Sequence, residues 1–287
     1  MERTYDFGFG LPSVCRLGLA TRGNTHLDPD DVHHAVERGT NYLNWCGHVD
    51  GMSRAIREMG SDRDRVIIAW QMQKGSAEGA RRELDAALTE LGTDRIDLVT
   101  LYYVESEREW LDIASLDGAY GVLADARDSG LVRMIGMTSH QREMAARIAA
   151  GKLLPESEPA DGLDPSRPLD ALMLRYNAAH RGADRDVFPV TDPIRLPVVV
   201  YTCLRWGALM ETTTEDPVGY RPPAAPEWYR YALANPSVAV ALMAPNGREE
   251  LDENLGLLDD WRTPSDLDLA AMTQHGDRIY RTAGGFP

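Results

Sequence analysis

A (β/α)8 barrel, the TIM-barrel α/β class, is the fold this sequence predicts, on three observations. Eight short apolar runs alternate with longer amphipathic stretches across 287 residues. Several of the runs are apolar throughout, as parallel strands covered on both faces must be. The competing arrangement, a doubly wound sheet, normally carries a GxGxxG turn after its first strand, and none follows the first run here. A chain this long often splits into about two domains, but α/β barrels of this size form one; residues 1–287 read as a single barrel domain.

Taken in order, the runs at 14–20, 41–45, 66–70, 96–102, 132–137, 171–174, 197–201 and 238–243 predict the strands. Between them, 30–38 predicts a helix stopped by Gly39 and 52–59 one stopped by Gly60, because glycine enters the left-handed conformation that ends a helix. The 76–91 stretch is the plainest helix. Ala80, Leu84, Ala87, Leu88 and Leu91 share a face, Ser76 can cap the start and Gly92 the end. Helices are also expected at 111–129, 142–150, 226–234, 248–258 and 264–282. The proline- and acid-rich 154–168 segment reads as a surface insertion before the sixth strand. Residues 211–226 read as a long loop after the seventh, which a barrel places at its active-site mouth as a lid or strap; a plain surface loop is the other reading.

Composition narrows the function classes. With 43% hydrophobic and 26% charged residues the chain can bury a large core and is not a disordered polymer. No run approaches 18 apolar residues, so no membrane-spanning helix is expected, and the first residues lack the apolar core of a secretory signal. A net charge of -15 repels nucleic acid and anionic membranes and favours a small-molecule partner. Three scattered cysteines without a CxxC pair suit a reduced, cytoplasmic protein with no disulfide framework. Of the 30 basic residues only Lys74 and Lys152 are lysines.

Residues 5–20, 37–44 (ERGTNYLN), 88–98 (LTELGTDRIDL), 130–139 (GLVRMIGMTS), Tyr176 with Asn177, 199–209 (VVYTCLRWGAL) and 236–255 carry a resemblance, in that order along the chain, to the aldo-keto reductase superfamily. The resemblance implies a barrel plugged by an N-terminal β-hairpin. It also implies hydride transfer between a nicotinamide cofactor, usually NADPH, and a carbonyl. In the family a Tyr donates the proton, a Lys lowers its pKa, an Asp holds the Lys and a His orients the carbonyl. Carried over by position, these four fall on Val49, Gln71, Asn44 and Tyr102 respectively, and all four differ from the family's residues. No tyrosine lies between Tyr42 and Tyr102 and no lysine precedes Lys74, so a shift of register does not restore the set. Val49 cannot give a proton, and neutral Gln71 cannot stabilise a phenolate as an ammonium would.

Part of the family's cofactor apparatus has counterparts. Tyr201 falls where an aromatic stacks under the nicotinamide, Thr202 and Leu204 on the diphosphate strap, Thr138 and Ser139 on the pair that grips the carboxamide, and Asn254 on the adenine contact. Met173 replaces a carboxamide-binding Gln. Glu250 stands where an Arg or Gln is frequent, and a carboxylate there disfavours a 2′-phosphate. Arg248 could offset it, and backbone N–H groups near 246–247 could still cradle a phosphate. NADP, NAD and no cofactor all remain open.

The ends of the strands supply other chemistry. The candidate catalytic set is Tyr102, His48 and Arg175 with Asn44 and Gln71. Tyr102 could donate to an oxyanion, or exchange a proton if Arg175 or His48 lowers its pKa; otherwise it is a packing tyrosine. His48 could be oriented by Asp50, unless Asp50 simply caps the second helix. Cys46 would need to be a thiolate to react. Residues 175–181 offer Arg175, His180 and Arg181 to an anion, or else form a network with Asp184 and Asp186. His48, Asp50, His140 and His180 lack a metal-site spacing, and no metal is assigned. Strand ends also bring Gln73, Tyr103, Glu105, His140, Arg205 and Trp206 to the mouth. The functional expectation is an atypical family member doing non-redox acid–base chemistry (isomerase, lyase or cyclase) on a small polar or anionic molecule. The alternatives are an NAD(P)-dependent oxidoreductase with another proton donor, and a non-catalytic ligand-binding or regulatory protein.

Overall fold

The apolar runs become eight parallel strands, each hydrogen-bonded to the next, in a computed structural model that describes residues 1–21, 26–156 and 158–283. Two short strands, β1 (Thr4–Tyr5) and β2 (Val14–Cys15), pair antiparallel as a hairpin. The barrel follows as β3 (Leu17–Ala20), β4 (Tyr42–Trp45), β5 (Ile67–Met72), β6 (Ile96–Leu101), β7 (Val132–Thr138), β8 (Ala171–Arg175), β9 (Val198–Tyr201) and β10 (Val238–Met243), and β10 closes on β3. The predicted barrel and its hairpin are both present.

Strand alternation divides the core in two. Ile67 and Ala69 point into the barrel with Tyr42, Leu98, Met134, Ala171 and Val199. Ile68 and Trp70 point outward and pack with the helices. The hairpin seals the floor: Phe7 stacks on Tyr42 with ring centroids 5.8 Å apart.

The expected first strand, 14–20, is broken at Arg16. Its backbone N–H donates to Arg3 O and its carbonyl accepts from Ala241 N, while its buried guanidinium donates to the carbonyls of Glu2, Leu233, Asn235 and Val238, so this residue fastens the hairpin to the barrel. The expected helix 111–129 is two helices, Glu107–Ile113 and Ala119–Asp128. At Gly118 a Cβ would lie 2.0 Å from the Ile113 carbonyl oxygen, so the chain folds back there too tightly for any side chain. The plainest helix spans Ala77–Leu91; Ser76 Oγ accepts from Gly79 N, and Gly92 ends it at φ 60°. Two short helices after β8, Ala183–Asp186 and Phe188–Thr191, were not expected; four residues are too few to show a helical period.

The 154–168 segment, Ser157 aside because it lies outside the described residues, holds no helix or strand and packs on 114–118 through Ala160 N to Ala114 O and Leu116 N to Glu158 O. The 211–224 strap is pinned to the helix Asp266–Thr282. Its Asp216 accepts from Thr213 N (2.5 Å) and Arg278 Nε (2.5 Å) and faces the His275 ring at 3.2 Å. Burial pushes the Asp216 carboxyl up, but these donors outweigh it and hold the group below the usual carboxylate range. Among the described residues no helix is long and apolar enough to cross a membrane.

Candidate functional site

The strands end together at the face opposite the hairpin, and a cavity of about 760 Å³ opens there. Inward-facing residues form its base: Ala20 of β3, Asn44 of β4, Gln71 of β5, Met173 of β8, Tyr201 of β9 and Leu242 of β10. Tyr102, one residue past β6, joins them. Trp206, Gly207 and Met210, from the loop after β9, form the outer lip. Three of the expected catalytic positions, Asn44, Gln71 and Tyr102, therefore share one cavity.

The lining is polar but under-satisfied. Among the described residues, Thr21 Oγ1, Asn44 Oδ1 and the Tyr201 hydroxyl are buried without a hydrogen-bond partner. Asn44 Nδ2 reaches only Cys46 Sγ at 3.8 Å, and Gln71 Nε2 only Met173 Sδ at 3.6 Å. A buried polar group without a partner costs about 1–3 kcal/mol, so such groups gathered around a cavity suit a polar ligand.

One wall is aromatic. Tyr102 and Tyr103 lie 4.1 Å apart by ring centroid, Tyr103 and His140 4.5 Å, and His140 and Tyr201 6.2 Å. Burial, then the neighbouring Tyr103 and Cys46, push the Tyr102 phenol up to about 12. Burial also drives the Tyr201 phenol far above its usual range. Tyr103 sits at φ 45°, and Thr202, Arg205 and Trp206 at 54°, 48° and 54°. Three of these side-chain-bearing residues in the left-handed region, Tyr103, Thr202 and Trp206, thus border one cavity, a concentration of backbone strain typical of ligand sites.

His140 lines this wall and pairs with Glu105, a pairing the sequence did not reveal. Glu105 Oε1 accepts the His140 backbone N–H at 2.8 Å and lies 3.3 Å from Nδ1 of the ring. Both residues are recognisable as strand-end groups. Their meeting depends on the β6–β7 register, in which Leu101 stands opposite Met137. Thr138 ties the two strand ends together, accepting from Tyr103 N at 2.7 Å and donating to Leu101 O.

The other expected site residues lie elsewhere. His48 is exposed on the loop after β4 and is not part of the described wall; Val49 beside it is 76% exposed. Asp50 caps the helix Gly51–Glu58 by accepting from Ser53 N, the structural role weighed against its orienting His48. Arg175 ends β8 beside Tyr201 in register, outside the described wall; burial, with Arg142 and Arg205 nearby, lowers its pKa. His180 is lowered to about 4 by burial and by Arg175, Arg205 and Arg142. The carboxylates near 175–181 do form a network, with different pairings: Arg181 with Asp277, Arg142 with Asp186, and Asp184 with the Tyr176 hydroxyl and Asn235. No group of three His, Cys, Asp or Glu side chains among the described residues is placed to hold a metal.

The expected cofactor residues divide the same way. Tyr201, Thr202 and Leu204 line the cavity, which continues past Ala244 to Asn246 and Glu250. Asn254 is buried with Oδ1 unpartnered. Thr138 and Ser139 are buried and engaged in the strand-end loops, Ser139 Oγ accepting from Gln141 N. At the phosphate end, the Arg248 guanidinium is committed to Asp31 at 2.6 Å and to the Asp30 carbonyl. The Glu250 carboxylate already takes the Asn246 N–H at 2.8 Å. Tyr201, Thr202 and Leu204 could hold the nicotinamide end of a dinucleotide, while at the other end of the cleft the Glu250 carboxylate puts negative charge where a 2′-phosphate would lie.

Comparison with known proteins agrees with the architecture. A family model described as the aldo/keto reductase family matches residues 18–227. A curated relative, 2,5-diketo-D-gluconic acid reductase B of a Corynebacterium species, is 32% identical over 119 residues, 40% of this chain and 39% of that protein. That match spans only about two-fifths of the relative. A crystal structure of a Pseudomonas aeruginosa protein assigned as an aldo-keto reductase superposes with a TM-score of 0.65 over 90% of this chain and 94% of the other. At 19% identity, that likeness speaks for the fold alone.

Proposed function

This chain belongs to the aldo/keto reductase family, and on that premise we propose that it is an atypical member performing cofactor-independent acid–base chemistry on a small polar molecule, as an isomerase, lyase or cyclase. One observation carries the reading. The cavity in which Asn44, Gln71 and Tyr102 meet has no lysine and no aspartate in its described wall. The family's relay requires an ammonium to stabilise a phenolate. Lys74 is exposed before the third helix and Lys152 is exposed near β8. Among the phenols that line the cavity, Tyr102 stands where the family's carbonyl-orienting His falls; it has no cation among the groups that shift it and is driven toward the neutral form. It is suited to donate a hydrogen bond and poorly suited to ionise.

A second reading, an NAD-dependent oxidoreductase with another proton donor, has its own support in the unpartnered buried Asn254 Oδ1 and in Tyr201, Thr202 and Leu204 along the cleft. NAD lacks the 2′-phosphate that the Glu250 carboxylate would repel. One pair of measurements separates the readings. Purified protein is titrated with NADH and NADPH by fluorescence, and incubated in D2O with neutral carbonyl compounds without nicotinamide. The acid–base reading expects deuterium to enter the carbonyl compounds without cofactor. Saturable NADH binding with substrate-dependent NADH oxidation, and no exchange in its absence, would replace it with the second reading. No disulfide joins Cys15, Cys46 and Cys203, which suits action in a reducing compartment such as the cytoplasm.

A further inference from the structure

Glu105 and His140 are 35 residues apart in sequence and meet at the cavity because β6 and β7 run side by side. We propose that His140, positioned by Glu105, is the general base of this cavity and Tyr102 its oxyanion donor, acting on a small neutral carbonyl compound with an acidic α C–H. The inference rests on the acid–base reading above and names its base and its substrate class.

Glu105 is held at both ends. Its backbone N–H is taken by Glu109 Oε2 at 2.9 Å. Its Oε1 receives the His140 backbone N–H, and its Oε2 the Gln141 side-chain amide at 3.2 Å. A carboxylate held 3.3 Å from Nδ1 favours the tautomer in which Nδ1 carries the proton and Nε2 keeps the lone pair. The ring is packed against Tyr103 and beside Tyr201 on the cavity wall.

Glu105, Arg175, Tyr103 and Tyr201 surround the ring, and on its other side His140 borders a second cleft with Glu107, Arg142, Glu143, Arg147 and Asp186, where Arg147 pairs with Glu107 and Arg142 with Asp186. Burial lowers the imidazole and Arg175 lowers it further, while Glu105 opposes both; the balance lies below the usual 6.5, so the ring is a neutral base at pH 7. The Tyr102 phenol, at about 12, keeps its proton. Two groups on one wall are thus set apart as base and donor, the division that enolisation needs. The described wall holds no lysine or arginine to neutralise a carboxylate or phosphate, which favours a neutral substrate.

The step balances without a redox partner. Nε2 forms an N–H bond as the substrate Cα–H bond breaks. The C–H electron pair becomes the C=C bond of an enolate, and the carbonyl π pair moves to oxygen, where the Tyr102 O–H donates. The Nε2 proton exchanges with solvent while the enolate persists, and collapse of the enolate then delivers a solvent-derived proton from Nε2 to carbon, giving exchange at Cα.

The test uses hydroxyacetone in D2O, followed by proton NMR across pH. Wild-type protein is expected to incorporate deuterium, with a rate that climbs with pH along a limb centred below 6.5. His140→Ala and His140→Gln are each expected to lose about 100-fold or more, the usual worth of a general base. Glu105→Gln removes a charge that favours the imidazolium, so the limb and the His140 titration read directly by NMR should both move down by about one pH unit. Tyr102→Phe should lower kcat more than it changes KM. Two results overturn the assignment. One is wild-type exchange in either folded His140 variant, which leaves the acid–base reading standing. The other is a His140 titration indifferent to Glu105→Gln, which can be read whether or not the variant is active. A wild-type protein inert toward hydroxyacetone and other neutral ketones removes both the assignment and the reading beneath it.

Discussion

The two ends of this barrel treat their polar groups in opposite ways. At the floor, charge is paired. Asp97, fully buried at the start of β6, accepts the Ile68 N–H at 2.8 Å and the Arg63 guanidinium at 2.8 Å, with Arg95 and Arg133 within 3.8 Å. Asp170, just before β8, repeats the device with Ile135 N, Arg127 and Arg167. At the mouth, Thr21, Asn44 and Tyr201 present polar atoms that nothing in the described chain answers. Arg16 Nε, Thr40 Oγ1, the Tyr42 hydroxyl and Arg95 Nε are also unanswered lower down, but they do not border the mouth cavity. Stability is concentrated where the strands begin, and the capacity to bind where they end.

Substitutions that cross this divide should have opposite signs. The largest effect is expected at the floor. Asp97→Ala strands the guanidinium of Arg63 and an amide in the interior, and should cost about 3–5 kcal/mol of unfolding free energy in urea titration. Activity per folded molecule should be unchanged; a specific loss of activity at full stability would dissolve the distinction. Asn44→Leu at the mouth should do the reverse. Replacing an unanswered amide by an apolar group of similar size is expected to raise stability by about 1 kcal/mol, while turnover or probe binding falls at least tenfold. A destabilised Asn44→Leu protein would mean that the amide is structural after all. The smallest effect is expected at Lys74, the nearer of the two lysines to the family's relay position. Lys74→Met should change stability by less than about 0.5 kcal/mol and leave activity intact; a large kinetic loss would return the protein to ammonium-assisted chemistry.

The fold was legible because apolar runs and glycine stops report local physics. Seven of the eight barrel strands appear where runs such as 41–45, 96–102 and 238–243 announced them, within a residue or two; the first, expected at 14–20, is divided. What was lost needed tertiary knowledge. Arg16 fell inside the expected 14–20 strand and is instead the point where it divides, with its guanidinium buried on four carbonyls. The 111–129 pattern kept its apolar face across Gly118, so its period hid the break. At the site, the family resemblance placed Asn44, Gln71 and Tyr102, and the strand ends bring them to one cavity. His48 was favoured for its residue type, and the loop carries it outward. The Glu105–His140 contact joins two strand ends whose relative height only the register determines, and no spacing within either segment encodes it.

The strap clasp has a consequence for inheritance. Asp216 lies on the loop that leads away from the Met210 lip of the cavity, and its partners His275 and Arg278 lie some sixty residues onward in the helix Asp266–Thr282. Descendants that tailor the rim to new ligands must therefore amend two distant stretches of gene in concert. A chimera that borrows its last helix from a cousin would keep its barrel and lose the mooring of its doorway.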